Sequence, residues 1–124
     1  MAYAYLDTNI LIAAAQGAKV LYVLDEDYPH LTKATLQGVL SELDEIQEHG
    51  TGAQKREAVL AKRLITQQDL KVVSHSTSYV DDALLEQASS QDVLVTLDRA
   101  LQLRARKEGL RVLTLAKGRL RFVA

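Results

Sequence analysis

Asp7 and Asp98 stand where acids can do chemistry together. Asp7 directly follows the apolar run Ala2-Tyr3-Ala4-Tyr5-Leu6, and Asp98 lies just past Val93-Leu94-Val95, beyond Thr96. Both runs read as buried strands, so both acids should open onto one rim of a sheet. Two such carboxylates repel each other by roughly a few kcal/mol when dry and unpaired, so a cation, a proton or a basic side chain must offset the charge. More acids are within reach. Asp81 and Asp82 precede Ala83-Leu84-Leu85 and fall at a helix start, where the dipole and free N–H groups favour a carboxylate. That structural role competes with chemistry for at least one of the pair. Glu42 and Asp44 lie on opposite borders of a helical apolar stripe, and periodicity does not choose between them.

Strands and helices alternate behind these residues. Strands are expected at Ala2–Leu6, His30–Lys33, Lys71–His75, Val93–Thr96 and Arg111–Leu115, with an edge strand at Leu120–Val123. Helices are expected at Asn9–Ala15, Lys19–Glu26, Thr35–Glu48, Ala53–Gln67, Val80–Ser89 and Arg99–Lys107. In the third of these, Leu36, Val39, Leu40, Leu43 and Ile46 recur at helical spacing. Gly50 should end that helix and Thr51 cap the next. The alternation predicts one three-layer α/β domain over residues 1–124, with a central, mainly parallel sheet flanked by helices. Ligands of such sheets bind beyond the carboxyl ends of the strands, which is where Asp7 and Asp98 fall.

Composition narrows the function classes. With no cysteine, disulfides and thiolate metal ligands are excluded. No apolar run is long enough to span a membrane, and Met1–Ile12 carries Asp7 without a basic leader, so a cytoplasmic location is expected. The net charge of −1 hides an asymmetry: from Asp98 onward there are eight Lys/Arg against two acids, a net of +6. A basic end of this kind suggests contact with a polyanion, and a solvated helix and strand are the bland alternative. His30, His49 and His75 lack metal-ligand spacing and read as surface or loop residues. His49-Gly50-Thr51-Gly52 follows a helix, so it reads as a turn and not as a phosphate loop. Tyr3 and Tyr5 alternate with Ala and Leu, which favours packing over base stacking.

Four segments in order resemble a known family. Tyr5-Leu6-Asp7-Thr8-Asn9-Ile10-Leu11-Ile12 resembles the opening of the PIN domain. Val39-Leu40-Ser41-Glu42-Leu43 resembles its second motif, Asp81-Asp82-Ala83-Leu84-Leu85 its third and Val93-Leu94-Val95-Thr96-Leu97-Asp98 its fourth. The resemblance implies Asp7, Glu42, Asp82 and Asp98 as catalytic residues that hold one or two Mg²⁺ or Mn²⁺ ions, with Asn9, Thr96 and Asp81 in support. Such cations take oxygen ligands and activate a bound water. The implied function is a metal-dependent ribonuclease, with RNA held by Arg99, Arg104, Arg106, Lys107, Lys117 and Arg119. The implied partners are an RNA substrate, a second copy of the chain, and an antitoxin or a ribosome-assembly partner. The closing Arg111–Leu115 strand and Lys117-Gly118-Arg119 resemble the ribosomal-RNA-processing branch more than the VapC-type toxins. Leu97 departs from the pattern, since the family often carries a polar residue there.

Two other classes compete. A receiver-like, Mg²⁺-dependent phosphoryl-transfer module needs an acid after its third strand, where this chain has His75-Ser76-Thr77. A dehalogenase-type phosphatase needs an acid two residues after Asp7, where Asn9 stands. A non-catalytic RNA-binding or assembly protein with the same fold is the second class, and the presence of all four motif acids weighs against it.

Overall fold

The computed structural model describes residues 1–75 and 79–123. Ser76 and Thr77, which follow the expected third strand, lie outside the described residues. The elements run β1 (Ala2–Leu6), α1 (Thr8–Ala15), α2 (Val20–Asp27), β2 (Leu31–Leu36), α3 (Gln37–His49), α4 (Gly52–Gln67), β3 (Lys71–Val73), α5 (Val80–Gln87), β4 (Val93–Val95), α6 (Arg99–Lys107), β5 (Arg111–Ala116) and β6 (Arg119–Phe122). Local chemistry sets several boundaries. Asp7 caps α1, Asp98 caps α6, and Thr51 with Gln54 forms a full capping box on α4.

The six strands form one sheet in the order β3-β2-β1-β4-β5-β6. All neighbours are parallel except the β5–β6 pair. From β1 the chain winds outward to β2 and β3, then returns across the sheet to β4 and β5. The strand order therefore reverses between β1 and β4, and crevices for ligands open at the carboxyl ends of such a pair. Right-handed crossovers send the helices of the two halves to opposite faces. On one side α4 packs on α1 and α3; on the other, α5 packs against β2 and α6 against β5. Leu6, Ile10, Leu94, Leu101 and Leu113 are wholly buried between these layers.

Several boundaries differ from the sequence expectation. β2 extends to Leu36, and α3 begins at Gln37 and not at Thr35. Thr35 and Leu36 are in register with Val72 and Val73, and the Thr35 hydroxyl donates to the Leu6 carbonyl at 2.8 Å. Leu36 thus buries itself in the sheet and not on the helical stripe, because tertiary pairing outweighs a local pattern. β3 correspondingly stops at Val73, short of His75. β6 starts at Arg119 because Lys117 and Gly118, with φ of 51° and 76°, make a tight two-residue hairpin turn.

Gly38, in the first turn of α3, shows how closely α5 approaches. A Cβ there would lie 2.8 Å from His75 Nε2 and 2.9 Å from Val80 Cγ2. His75 Nε2 also accepts the Gly38 N–H at 2.9 Å. Gly38→Ala should therefore destabilise the protein by about 1–3 kcal/mol through overpacking, despite the better helix propensity of alanine. Thermal or urea unfolding checks this, and an unchanged or raised stability would show that the loop yields freely.

Candidate active site at the carboxyl ends of β1 and β4

The site begins with the β1–β4 register. Leu6 is aligned with Val95, so the next residues of the two strands emerge side by side. Asp7 N–H donates to the Val95 carbonyl at 3.1 Å, which carries the sheet one step past the strand. Asp7 is 5% exposed. Its Oδ1 accepts the Thr8 N–H at 2.8 Å, and its Oδ2 accepts the Thr96 hydroxyl at 2.8 Å and, more weakly, Asn9 Nδ2 at 3.4 Å. Thr96 in turn accepts the Asp98 N–H at 3.1 Å. Asn9 Oδ1 accepts the Leu97 N–H at 3.0 Å, so Asn9 ties the two strand exits together. Asp98 Oδ1 caps α6 by accepting from Ala100 and Leu101.

Glu42 reaches the site from α3. Its Oε2 accepts the Thr8 hydroxyl at 3.1 Å, whereas Asp44 is taken by Lys62 of α4 at 2.6 Å. The choice that periodicity left open is made by packing: Lys62 draws Asp44 to the α4 side, and Glu42 turns to α1. On α5, Asp82 accepts Arg104 of α6 at 2.6 Å and forms an exposed ion pair with it. Asp81 is the member of that pair whose charge acts on Asp7 and Glu42, and it feels the charge of Asp98 in turn.

The electrostatics report this convergence. Burial pushes the Asp7 carboxyl above the ordinary carboxylate range; the bonds from Thr96 and Thr8 oppose the shift, and the charges of Asp81 and Asp98 add to it. Partial desolvation raises Glu42 as well, although the residue is exposed overall; the Thr8 hydroxyl opposes the shift, and Asp7 and Asp81 reinforce it. Asp81 is raised by burial and then by Asp98, with Arg104 opposing. Asp7, Glu42, Asp81 and Asp98 thus form one mutually repelling group whose donors are all oxygen. No three of them bring ligand atoms within 4.8 Å of one another; among the described residues only Glu45, Glu48 and His49 do so, on an exposed turn of α3.

The arrangement is that of a known family. A family described as PIN like domain matches residues 4–119. The chain belongs to the PIN-like domain family. No curated protein sequence matches it. Among solved structures, the PIN-like domain is similar to the structure of the PIN domain endonuclease Utp24, with a TM-score of 0.78 and 21% identity over 97% of this chain and 90% of that one. It is also similar to a domain of a functionally unknown protein from Methanocaldococcus jannaschii, with a TM-score of 0.60 and 16% identity over 100% of this chain and 99% of that one. These likenesses bear on the fold, and membership of the family supports a nuclease-type function. Among the described residues, no helix is long and apolar enough to cross a membrane.

Of the residues singled out in the sequence, Asp7, Asn9, Glu42, Asp81, Thr96 and Asp98 come together in the PIN-like domain. Asp82 borders the group but is engaged with Arg104. Arg99, Arg106, Lys107, Lys117 and Arg119 are exposed. Two residues of the site carry no separate signal in the sequence. Thr8 stands there only as part of a motif, although its hydroxyl holds Glu42. Gln102 is 8% exposed, and its Nε2 donates to the Thr96 carbonyl and to Thr114 Oγ1, both at 3.0 Å. A glutamine inside a basic helix carries no signal of such a role.

The raised Asp7 pKa has a signed consequence for stability. Below its ordinary value of 3.8, folded and unfolded chains both hold the proton. Above it the unfolded chain ionises first, so folding is penalised, and the penalty is complete once pH passes the folded pKa. In chelator, the Asp7→Asn variant should gain stability relative to the parent as pH rises from about 4 to neutrality, with a slope of at most about 1.4 kcal/mol per pH unit. Urea titrations across this range measure it, and a pH-independent difference would contradict the assigned burial.

Proposed function

We propose that this PIN-like domain is a divalent-metal-dependent endoribonuclease. One observation carries the reading: Asp7, Glu42, Asp81 and Asp98, from four separate segments, act on one another at the strand reversal, and among the described residues Arg104 is the basic side chain that opposes their charge. An all-oxygen, mutually repelling set fits one or two Mg²⁺ or Mn²⁺ ions, held directly or through water. Once bound, such an ion supplies a water acidic enough to attack phosphorus and charge to balance the phosphate.

The chain's own residues do the positioning. Thr96 orients Asp7 and holds the Asp98 backbone, Asn9 locks the β1 and β4 exits together, and Thr8 orients Glu42. In this proposal Asp81, and not Asp82, is the ligand from α5; Asp82 keeps Arg104 beside the site. Arg99, Arg106, Lys107, Lys117 and Arg119 supply exposed positive charge for the RNA backbone, an attraction that weakens with salt. RNA is chosen over DNA by the family resemblance, and paired single-stranded RNA and DNA oligonucleotides test that choice.

Manganese titration followed by thermal melting and by cleavage of a single-stranded RNA is the direct test. Mn²⁺ at a hundredfold excess over its Kd should stabilise the parent by about 2.7 kcal/mol. Asp7→Asn and Asp81→Asn should lose that stabilisation and lower cleavage by at least about a hundredfold, the scale of losing one electrostatic stabiliser. Asp82→Asn should keep the Mn²⁺ response. A parent that neither binds Mn²⁺ nor cuts, or an Asp7→Asn variant that cuts as fast as the parent, refutes the proposal. A Mn²⁺ response lost in Asp82→Asn but kept in Asp81→Asn reverses the assignment on α5.

A further inference from the structure

A cavity opens at the carboxyl ends of β2 and β3. The sheet order places β2 beside β1, on the side away from β4 and α6. β2 leads directly into α3, and β3 is followed by Ser74 and His75. Between α3 and the start of α5 lies a cavity of about 610 Å³, lined by Gln37, Ser41, Glu42, Glu45, His75 and Tyr79 among others. Pockets for small molecules run to about 300–1,000 Å³, so a nucleobase fits comfortably. Gly38 keeps the two walls close: its N–H donates to His75 Nε2 at 2.9 Å, and a Cβ there would meet His75 and Val80.

Glu42 joins this cavity to the acid group, because it also lines a smaller one with Asp81, Asp82 and Arg104. Tyr79 borders both. It is 73% exposed, stands at the N-cap of α5 without a side-chain cap bond, and meets no other ring among the described residues. Other rings are committed to packing: Tyr3 meets Tyr5, and Tyr28 meets Phe122. Tyr22 is exposed too, but it lies on α2 and lines neither cavity. A lone exposed ring is ordinary. A ring between a polar cavity and a group of acids is placed to meet an unstacked base. The lining has two carboxylates and no Lys or Arg, so it repels a phosphate and admits an uncharged base. Gln37, Ser41 and Glu45 are spaced four apart and form one row on α3. The exposed His49 imidazole is 3.8 Å from Glu45, too far for a hydrogen bond, so the Glu45 oxygens are open to a donor. The Watson–Crick edge of guanine offers a carboxylate two neighbouring N–H donors, and the other bases offer fewer.

We propose that the cavity between α3 and α5 takes one unstacked base, by preference guanine, beside the scissile phosphate of single-stranded RNA, with Tyr79 against its face and Glu45 accepting from its edge. The proposal rests on the nuclease reading for the word scissile, but binding tests it separately. A single-stranded oligoribonucleotide carrying 2-aminopurine at successive positions reports stacking by loss of fluorescence. In chelator, so that turnover plays no part, the parent should quench one position most. Tyr79→Leu should abolish that quenching and weaken binding about fivefold or more, the low end of the loss of one base stack. Tyr79→Phe should keep both, and Tyr22→Leu, an exposed change on α2, should alter neither. Melting temperature should be the same in all three variants. By anisotropy, a strand with guanine at the quenched position should bind about threefold or more tighter than one with uracil, the scale of one net hydrogen bond. Glu45→Gln should erase that difference.

No quenched position, quenching that survives Tyr79→Leu, or equal weakening by Tyr22→Leu overturns the subsite. Equal binding of guanine and uracil, or a preference kept in Glu45→Gln, overturns the assignment of Glu45. A parent that quenches through Tyr79 but does not cut RNA with Mn²⁺ refutes the nuclease reading and leaves the base site standing. A parent that cuts, with a Tyr79→Leu variant that binds and cuts like it, does the opposite.

Discussion

A carboxylate is costly to bury, and the architecture of this domain is arranged around one that is. Asp7 sits at the point where the strand order reverses, with almost no access to solvent. Three donors from its surroundings meet it: the Thr8 backbone, the Thr96 hydroxyl and the Asn9 amide. The Thr8 and Asn9 donors are local to the start of α1, whereas the Thr96 bond depends on the alignment of Leu6 with Val95, since a slip of one residue would turn Thr96 to the other face of the sheet. Gln102 extends the same chain of contacts to β5 by holding both the Thr96 carbonyl and Thr114. The helices, caps and hairpin are thus tied mechanically to one acidic point.

Hydrogen bonds to Asp7 do not remove its charge, and three more acids face it. The fold therefore gathers repulsion that its own side chains leave largely in place. Among the described residues Arg104 is the basic residue that acts on the group, and it is already paired with Asp82. Such a point is poor as a source of stability and well suited to capturing a cation. The surroundings are divided in sign. Acids dominate toward α3 and α5, and exposed arginines dominate toward α6 and the β5–β6 hairpin.

Fold and function stand on different observations here. Likeness to solved structures at 21% and 16% identity speaks for the arrangement of strands and helices. One fold hosts many activities, so the functional reading has to come from the site. Four acids from β1, α3, α5 and the β4–α6 junction share a rim, and two hydroxyl side chains hold two of them. The same reasoning separates near neighbours in the chain: Glu42 and Asp44, or Asp81 and Asp82, are chemically alike and differ only in what packs against them.

Much of this was legible in the residues themselves. Apolar runs ending in Asp7 and Asp98, helical stripes, caps and the alternation of elements depend on nearest neighbours along the chain, and these determined the layered α/β class and the main acids. Between Asp81 and Asp82 the residues offered no such choice: each adjoins a buried residue of α5, Val80 and Ala83 respectively, and the family resemblance pointed to Asp82. What neighbours along the chain could not decide, contacts across it did. Leu36 joined β2 because Val73 pairs with it, and Asp44 left the site because Lys62 claims it. Thr8 found Glu42, Gln102 found Thr96, and α5 came up beside α3 to make a cavity. Each of these is an interaction between residues distant in sequence, and its energy exists only once the chain has folded.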